Sequence, residues 1–196
     1  GEHSRLIGRQ PEIEAISDLI KQPETRLLTV TGVGGTGKTR LAKEIGKLSL
    51  SSFTDGVYFV DLSAIADVEL VEQEIAQTVG VKETDDDALK DHLLAKRILL
   101  ILDNFEQIAD AARTVDELLA SCSKLKILIT SRVRLNLSFE QEFTLQPLDM
   151  PAENDLSIAK NASVSLFVER ARAVKNDFAL NEENAEAIAD ICRRLD

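Results

Sequence analysis

Short runs of consecutive apolar residues alternate along the chain with stretches in which apolar positions recur every three or four residues. The runs mark strands buried on both faces, and the spaced positions mark helices that bury one stripe. Ile13, Ile16, Leu19 and Ile20 behind Pro11 predict a helix over 11–21, with Pro11 suited to its first turn. RLLTV (26–30) predicts a buried strand, and Leu41, Ile45 and Leu48 predict the helix that follows it. GVYFVDL (56–62) is a second strand, with Leu70, Val71, Ile75 and Val79 marking another helix. The acidic stretch ETDDD reads as a solvated connector with a cap, leading into a short helix from Leu89 to Leu94. RILLILD (97–103) is the strongest strand in the chain, and Ile108, Ala112, Val115, Leu118 and Leu119 form the stripe of the helix after it. KILITSR (126–132) is a fourth strand, and EFTLQPL (142–148), which alternates and then meets Pro147, is a short edge strand.

Strands separated by helices pair in parallel through right-handed crossovers, which predicts a three-layer α/β domain. That regime ends at 147. Beyond it the pattern is helical only, with Val164, Phe167, Val168, Ala171 and Val174, then Ala185, Ile188, Ile191 and Leu195 behind Asn181 as a cap. Two helices cannot bury their faces alone, so residues 148–196 read as the beginning of a helical bundle that is cut short, and 1–147 as a complete domain. The opening at Gly1 and the stop at ICRRLD, with no helix-ending signal, suit a segment of a longer chain.

Composition narrows the chemistry. With 196 residues, 44% hydrophobic and 29% charged, the chain can bury a sizeable core. A net charge of -11 repels nucleic acid and anionic lipid surfaces at long range, so any phosphate must be gripped by short-range, directed contacts. Cys122 and Cys192 are too far apart in sequence for metal-ligand spacing and suggest no disulfide framework, consistent with a reducing cytoplasm. The longest aliphatic run, 98–102, is far too short to span a bilayer.

Four of the nine glycines fall in one loop, Gly32-Val33-Gly34-Gly35-Thr36-Gly37-Lys38-Thr39, between a buried strand and an amphipathic helix. This fits G-x-x-x-x-G-K-[ST]. Consecutive N–H groups can turn inward on one anion only where no Cβ intrudes, and the helix N-terminus adds its own free N–H groups. Gly34, Gly35, Thr36 and Gly37 thus cradle phosphates, Lys38 adds charge between the β- and γ-phosphates, and the Thr39 hydroxyl is a hard oxygen for Mg²⁺.

A carboxylate is needed to hold that cation, at the C-terminal end of a neighbouring strand. Asp103 closes the strongest strand and has that position. Its neighbour Asn104 cannot accept a proton and can only orient a water. Glu106 is the nearest carboxylate that could assist, although a solvated first-turn Glu is as good a reading of it. Arg132, closing the fourth strand, would sense or neutralise the γ-phosphate.

Taken in order, these elements resemble the STAND class of signal-transduction ATPases, the NB-ARC and apoptotic-ATPase relatives, and most closely the bacterial members found in transcriptional regulators. LIGRQ looks like the family's hhGRE motif, GVGGTGKT its Walker A, LLILDNFE its Walker B and ILITSR its sensor 1, while LQPL and the following helices look like the start of its helical domain. The resemblance implies a P-loop NTPase fold with five parallel strands in the order 5-1-4-3-2, placing Asp103 and Arg132 on adjacent strands. It also implies adenine contacts from Ile7 and Arg9, and Arg40 among the nucleotide-binding residues. The ligands would be ATP or ADP with Mg²⁺, and the partners would be the chain's own further helical, winged-helix and sensor domains, with a homo-oligomer in the ATP state. Neither a membrane nor direct nucleic-acid contact is expected. Gln10 replaces the usual acid of hhGRE, and Asn104 the second Walker B acid of many relatives.

Slow ATP hydrolysis that controls a closed ADP state and an open ATP state is the leading reading. A non-hydrolysing module switched by exchange is the alternative that Asn104 motivates. A P-loop kinase lacks an Arg-rich lid here, and a AAA+ motor would want a carboxylate at 104.

Overall fold

The computed structural model describes residues 6–81, 87–152 and 158–194. The ETDDD connector lies outside them except for Asp87. The helices are α1 (Gln10–Lys21), α2 (Lys38–Ser49), α3 (Glu69–Val79), α4 (Ala88–Leu93), α5 (Ala112–Ser121), α6 (Ala162–Val174) and α7 (Ala185–Arg194), and the strands are β1 (Leu27–Thr31), β2 (Val57–Asp61), β3 (Leu99–Asp103), β4 (Lys126–Ser131) and β5 (Glu140–Thr144). Two compact units emerge: one runs from Pro11 to Gln146, and the other joins the residues up to Gln10 with those from Pro147 onward.

In the first unit the strands form one sheet in the order β2-β3-β4-β1-β5, every pair parallel. This is the expected 5-1-4-3-2 arrangement. It leaves all five C-terminal strand ends along one edge. Strands β1 and β3 are buried along their whole length, which is why they carry unbroken apolar or β-branched runs. Side chains alternate between the faces: Leu100 and Leu102 join a cluster with Val71 and Ile75 of α3, Leu89 of α4 and Val115 and Leu118 of α5. Ile101 points the other way, toward α2, where a Cβ on Gly46 would lie 2.8 Å from its Cδ1. The helix can therefore approach the sheet closely.

Most boundaries lie within two residues of the sequence pattern, and two shift further. The stripe beginning at Ile108 does not start a helix there; residues Phe105–Ala111 form a tight 3-10 turn, broken by Ile108 at φ -137° and ψ 43°, and α5 begins only at Ala112. The edge strand pairs over 140–144 and not 142–148, because β1 ends at Thr31, whose carbonyl accepts from the Leu145 N–H at 2.7 Å and completes the ladder.

The end of α5 and the turn after it are held by a side chain just ahead of β1. Arg26 Nε donates to Leu125 O at 2.9 Å, and its Nη2 donates to Leu119 O at 3.0 Å and to Cys122 O at 2.7 Å. Leu119 O lies in the last turn of α5 and Cys122 is its C-cap, whose carbonyl also accepts from Leu125 N at 3.1 Å, and a cation is favoured at the negative end of a helix.

The second unit contains α6 and α7, packed through Val164, Val168, Ile188 and Cys192. The Asn161 side chain caps α6 by accepting from Ser163 N and Val164 N. Asn181 and Asn184 accept reciprocally from each other's backbone N–H before α7, at 3.0 and 2.9 Å, so Asn181 caps as expected. Gly8 belongs to this unit. It lies at φ +70°, and a Cβ there would come within 2.4 Å of Ala162 Cβ at the start of α6. Among the described residues no helix is long and apolar enough to cross a membrane.

Replacing Arg26 with Ala should lower stability by about 1–3 kcal/mol, the cost of stranding partly buried carbonyls. Urea denaturation measures this. Arg26→Lys should recover less than half, because one ammonium group cannot reproduce the guanidinium fork; a lysine variant as stable as the parent would refute the clamp.

Candidate functional site

The site is assembled at the edge where the strands end. β1 delivers Thr31 into the glycine loop, and the loop delivers Lys38 as the first residue of α2. Gly37, the N-cap, sits at φ 90°, and Gly35 at φ 84°. L side chains are costly in this left-handed region, so the bend that turns the amides inward needs glycine at both positions. Thr36 Oγ1 donates to Val33 O at 3.0 Å and tightens the loop.

Lys38 Nζ reaches back across it, donating to Gly32 O at 2.7 Å and Val33 O at 2.9 Å. Partial burial lowers the Lys38 pKa from its ordinary value; the nearby carboxylates Glu106 and Asp103 oppose that shift, and Arg132 adds to it. Four charged groups thus share one field.

Asp103 is 1% exposed. A carboxylate so buried must be hydrogen-bonded, and three side chains do this. Thr39 Oγ1 lies 3.0 and 2.9 Å from its Oδ1 and Oδ2 and directs its proton at the carboxylate. Thr130 Oγ1 donates to Oδ1, and Asn104 Nδ2 donates to Oδ2 at 3.1 Å. The Thr130 hydroxyl also accepts from Asn104 N at 3.0 Å. That bond helps hold Asn104 at φ 62°, a left-handed conformation that asparagine tolerates better than most residues. Asn104 Nδ2 extends the network to Asp61 Oδ1 at 3.3 Å, at the end of β2 and in register with Asp103. The Asp61 pKa is lowered, chiefly by the Ser63 backbone N–H, with smaller help from Ser63's side chain, Asn104 and Lys43.

A hydroxyl and a carboxylate meeting at 2.9–3.0 Å are a hard-oxygen pair. Mg²⁺ characteristically takes one or two protein oxygens and completes its shell with phosphates and water, so the donor set fits that ion. Arg132 follows β4, and its Nε lies 3.2 Å from Glu106 Oε1.

Lys38, Thr39, Asp103, Asn104 and Arg132, all expected from the sequence, lie in one unit, with Gly34 inside the glycine loop and Arg40 in the first turn of α2. Ile7 and Arg9 belong to the other unit. Ile7 lines a cavity of about 380 Å³ there, walled by Val164, Val168, Glu169, Arg172 and Leu180. Arg9 is buried. Sequence reasoning missed Thr130 and Asp61. Asp61 carried the same signal as Asp103, an acid closing an apolar strand; Thr130 showed only as a polar residue late in one.

Comparison with known proteins identifies the family and the fold. Residues 9–146 match the NB-ARC domain family. An uncharacterised protein of Mycobacterium tuberculosis is 35% identical over 196 residues, covering 97% of this chain and 47% of its own length. A candidate HTH-type transcriptional regulator of the same organism is 37% identical over 178 residues, covering 88% of this chain and 19% of its own. The chain thus spans about half the length, or less, of these relatives. In fold it is similar to a STAND protein with a tetratricopeptide repeat sensor from Pyrococcus horikoshii, with a TM-score of 0.60 and 17% identity over 95% of this chain and 27% of that one.

Thr130→Val keeps the shape of the side chain but strips Asp103 of a donor and Asn104 of an acceptor. It should cost about 1–3 kcal/mol in chemical denaturation, with Thr130→Ser restoring most of it. No loss with valine would show the hydroxyl to be dispensable.

Proposed function

The chain belongs to the NB-ARC family, within the STAND class of ATPases of the bacterial regulator type, and on that premise we propose that it is the adenine-nucleotide switch of a longer regulator. It binds ADP or Mg·ATP and hydrolyses ATP slowly. The observation that carries this reading is the Thr39–Asp103 pair beside a left-handed glycine loop with Lys38 at its end.

In this reading the loop amides from Gly34 to Thr39 hold the phosphates, Lys38 releases the loop carbonyls to meet the β- and γ-oxygens, and Arg40 assists from the first turn of α2. Thr39 and Asp103 hold Mg²⁺, which supplies charge neutralisation on the phosphate oxygens. Asn104 orients polar groups around Asp103, and Arg132 approaches the γ-phosphate. Ile7 and Arg9 contact adenine, as the family resemblance implies. Residues 1–147 serve as the nucleotide-binding domain and 148–196 as the beginning of a helical one.

Only ATP offers Arg132 a γ-phosphate, so the two nucleotides stabilise different arrangements of the strand-end loops: a closed ADP state and an open, oligomerising ATP state. The reading extends to a cytoplasmic protein whose regulatory output, as the name of one relative suggests, is transcription. Any contact with DNA would come from another part of the full-length protein, given the charge of -11 on this segment. Asn104 in place of a second acid favours one rival, a module that switches by nucleotide exchange without hydrolysis.

Calorimetry with ADP and with a non-hydrolysable ATP analogue in Mg²⁺ should show binding that Lys38→Ala weakens by at least about tenfold, or ~1.4 kcal/mol. Absence of adenine-nucleotide binding by the unaltered protein would refute the proposal. Nucleotide released on denaturing the purified protein should be ADP. Phosphate release from labelled ATP no faster than in the Lys38→Ala variant would favour the exchange-only module.

A further inference from the structure

The geometry points to Glu106 as the carboxylate that orients and deprotonates the attacking water, an assignment that rests on the ATP-hydrolysing reading above. Glu106 sits in the 3-10 turn immediately after β3, three residues beyond Asp103. Its side chain is only 16% exposed, and its two oxygens are used differently. Oε1 accepts from Arg132 Nε at 3.2 Å. Oε2 is buried with no hydrogen-bond partner among the described residues.

A carboxylate oxygen withdrawn from water and left without a donor is costly, and such a group calls for an explanation. Its surroundings supply one. Glu106 is the strongest of the charges that favour the protonated Lys38 ammonium, and Arg132 acts on the same group. Glu106 therefore faces the two cations that mark the γ-phosphate end of the nucleotide. Arg132 holds one oxygen and leaves the other without a donor among the described residues.

The other polar groups at this edge are already committed. Asp103 receives Thr39, Thr130 and Asn104 on its two oxygens. Asn104 spends its amide nitrogen on Asp103 and Asp61, and an amide oxygen does not take a proton at neutral pH. Asp61 accepts from Ser63 N at 2.9 Å as well as from Asn104. Glu106 is the carboxylate here with a vacant accepting position in a water-poor setting, as a general base requires.

The step balances simply. The water oxygen forms a bond to the γ-phosphorus while the bond from that phosphorus to the β–γ bridging oxygen breaks, and ADP departs with the electron pair. The water proton passes to Glu106 Oε2 and then to solvent, leaving inorganic phosphate. The Arg132 guanidinium is shared between Glu106 and the γ-phosphate, so loss of that phosphate returns Arg132 to Glu106 alone.

The test is single-turnover hydrolysis of labelled Mg·ATP alongside calorimetric binding of ADP and a non-hydrolysable ATP analogue, for the parent, Glu106→Gln, Glu106→Asp and Lys38→Ala. Glutamine preserves the shape and an oxygen for Arg132 but cannot take the proton. Its hydrolysis rate should fall about 100-fold or more, the usual effect of removing a general base, with both affinities within about threefold of the parent. Aspartate should retain part of the rate. A Glu106→Gln rate within about threefold of the parent overturns the assignment, as does a parallel loss of rate and affinity, which would mark a structural or binding role. Hydrolysis by the parent no faster than by Lys38→Ala overturns the ATPase reading itself and this assignment with it.

Discussion

The edge of the sheet is organised by the need to bury one carboxylate. A carboxyl group as enclosed as Asp103 is tolerated only when hydrogen-bond donors surround it, and each donor comes from a different part of the chain: Thr39 from the first turn of α2, Thr130 from within β4, Asn104 from the turn after β3. Satisfying Asp103 therefore fixes where α2 starts relative to β3, how β4 lies between β3 and β1, and why residue 104 adopts a left-handed conformation. The glycine loop inherits its position from these constraints, since it spans the gap between β1 and the anchored start of α2.

Much of this was legible in the sequence, for reasons particular to the elements concerned. LLILD could scarcely be anything but a doubly buried strand, and its terminal acid stood out against five preceding residues of one character. The glycine loop announced itself because its backbone requirement is written directly in residue identity. The strand order, carried by resemblance to a family, was not deducible from periodicity at all, yet the sheet has it.

What escaped the sequence depends on which segments become neighbours. Asp61 matters because register sets it opposite Asp103, and Thr130 because β4 runs between β3 and β1; neither fact is local. Ile108 looked like a helix stripe position, but the chain must first make a tight turn after Asp103, and that turn uses it. The pull of Glu106 on Lys38 is likewise visible only once β3, its turn and α2 are set side by side.

Gly8 carries a different lesson. Its missing side chain lets the N-terminal motif touch the first residue of α6, with Ala162 the other half of a contact between two of the smallest residues. The segment bearing Ile7 thus meets chain that is synthesised only after the whole sheet has been made. A polypeptide ending at Gln146 would contain every strand and the full glycine loop, yet would leave Ile7 without the α6 residues that wall its cavity. The glycine loop and the cavity that Ile7 lines would then be completed at different moments of biosynthesis.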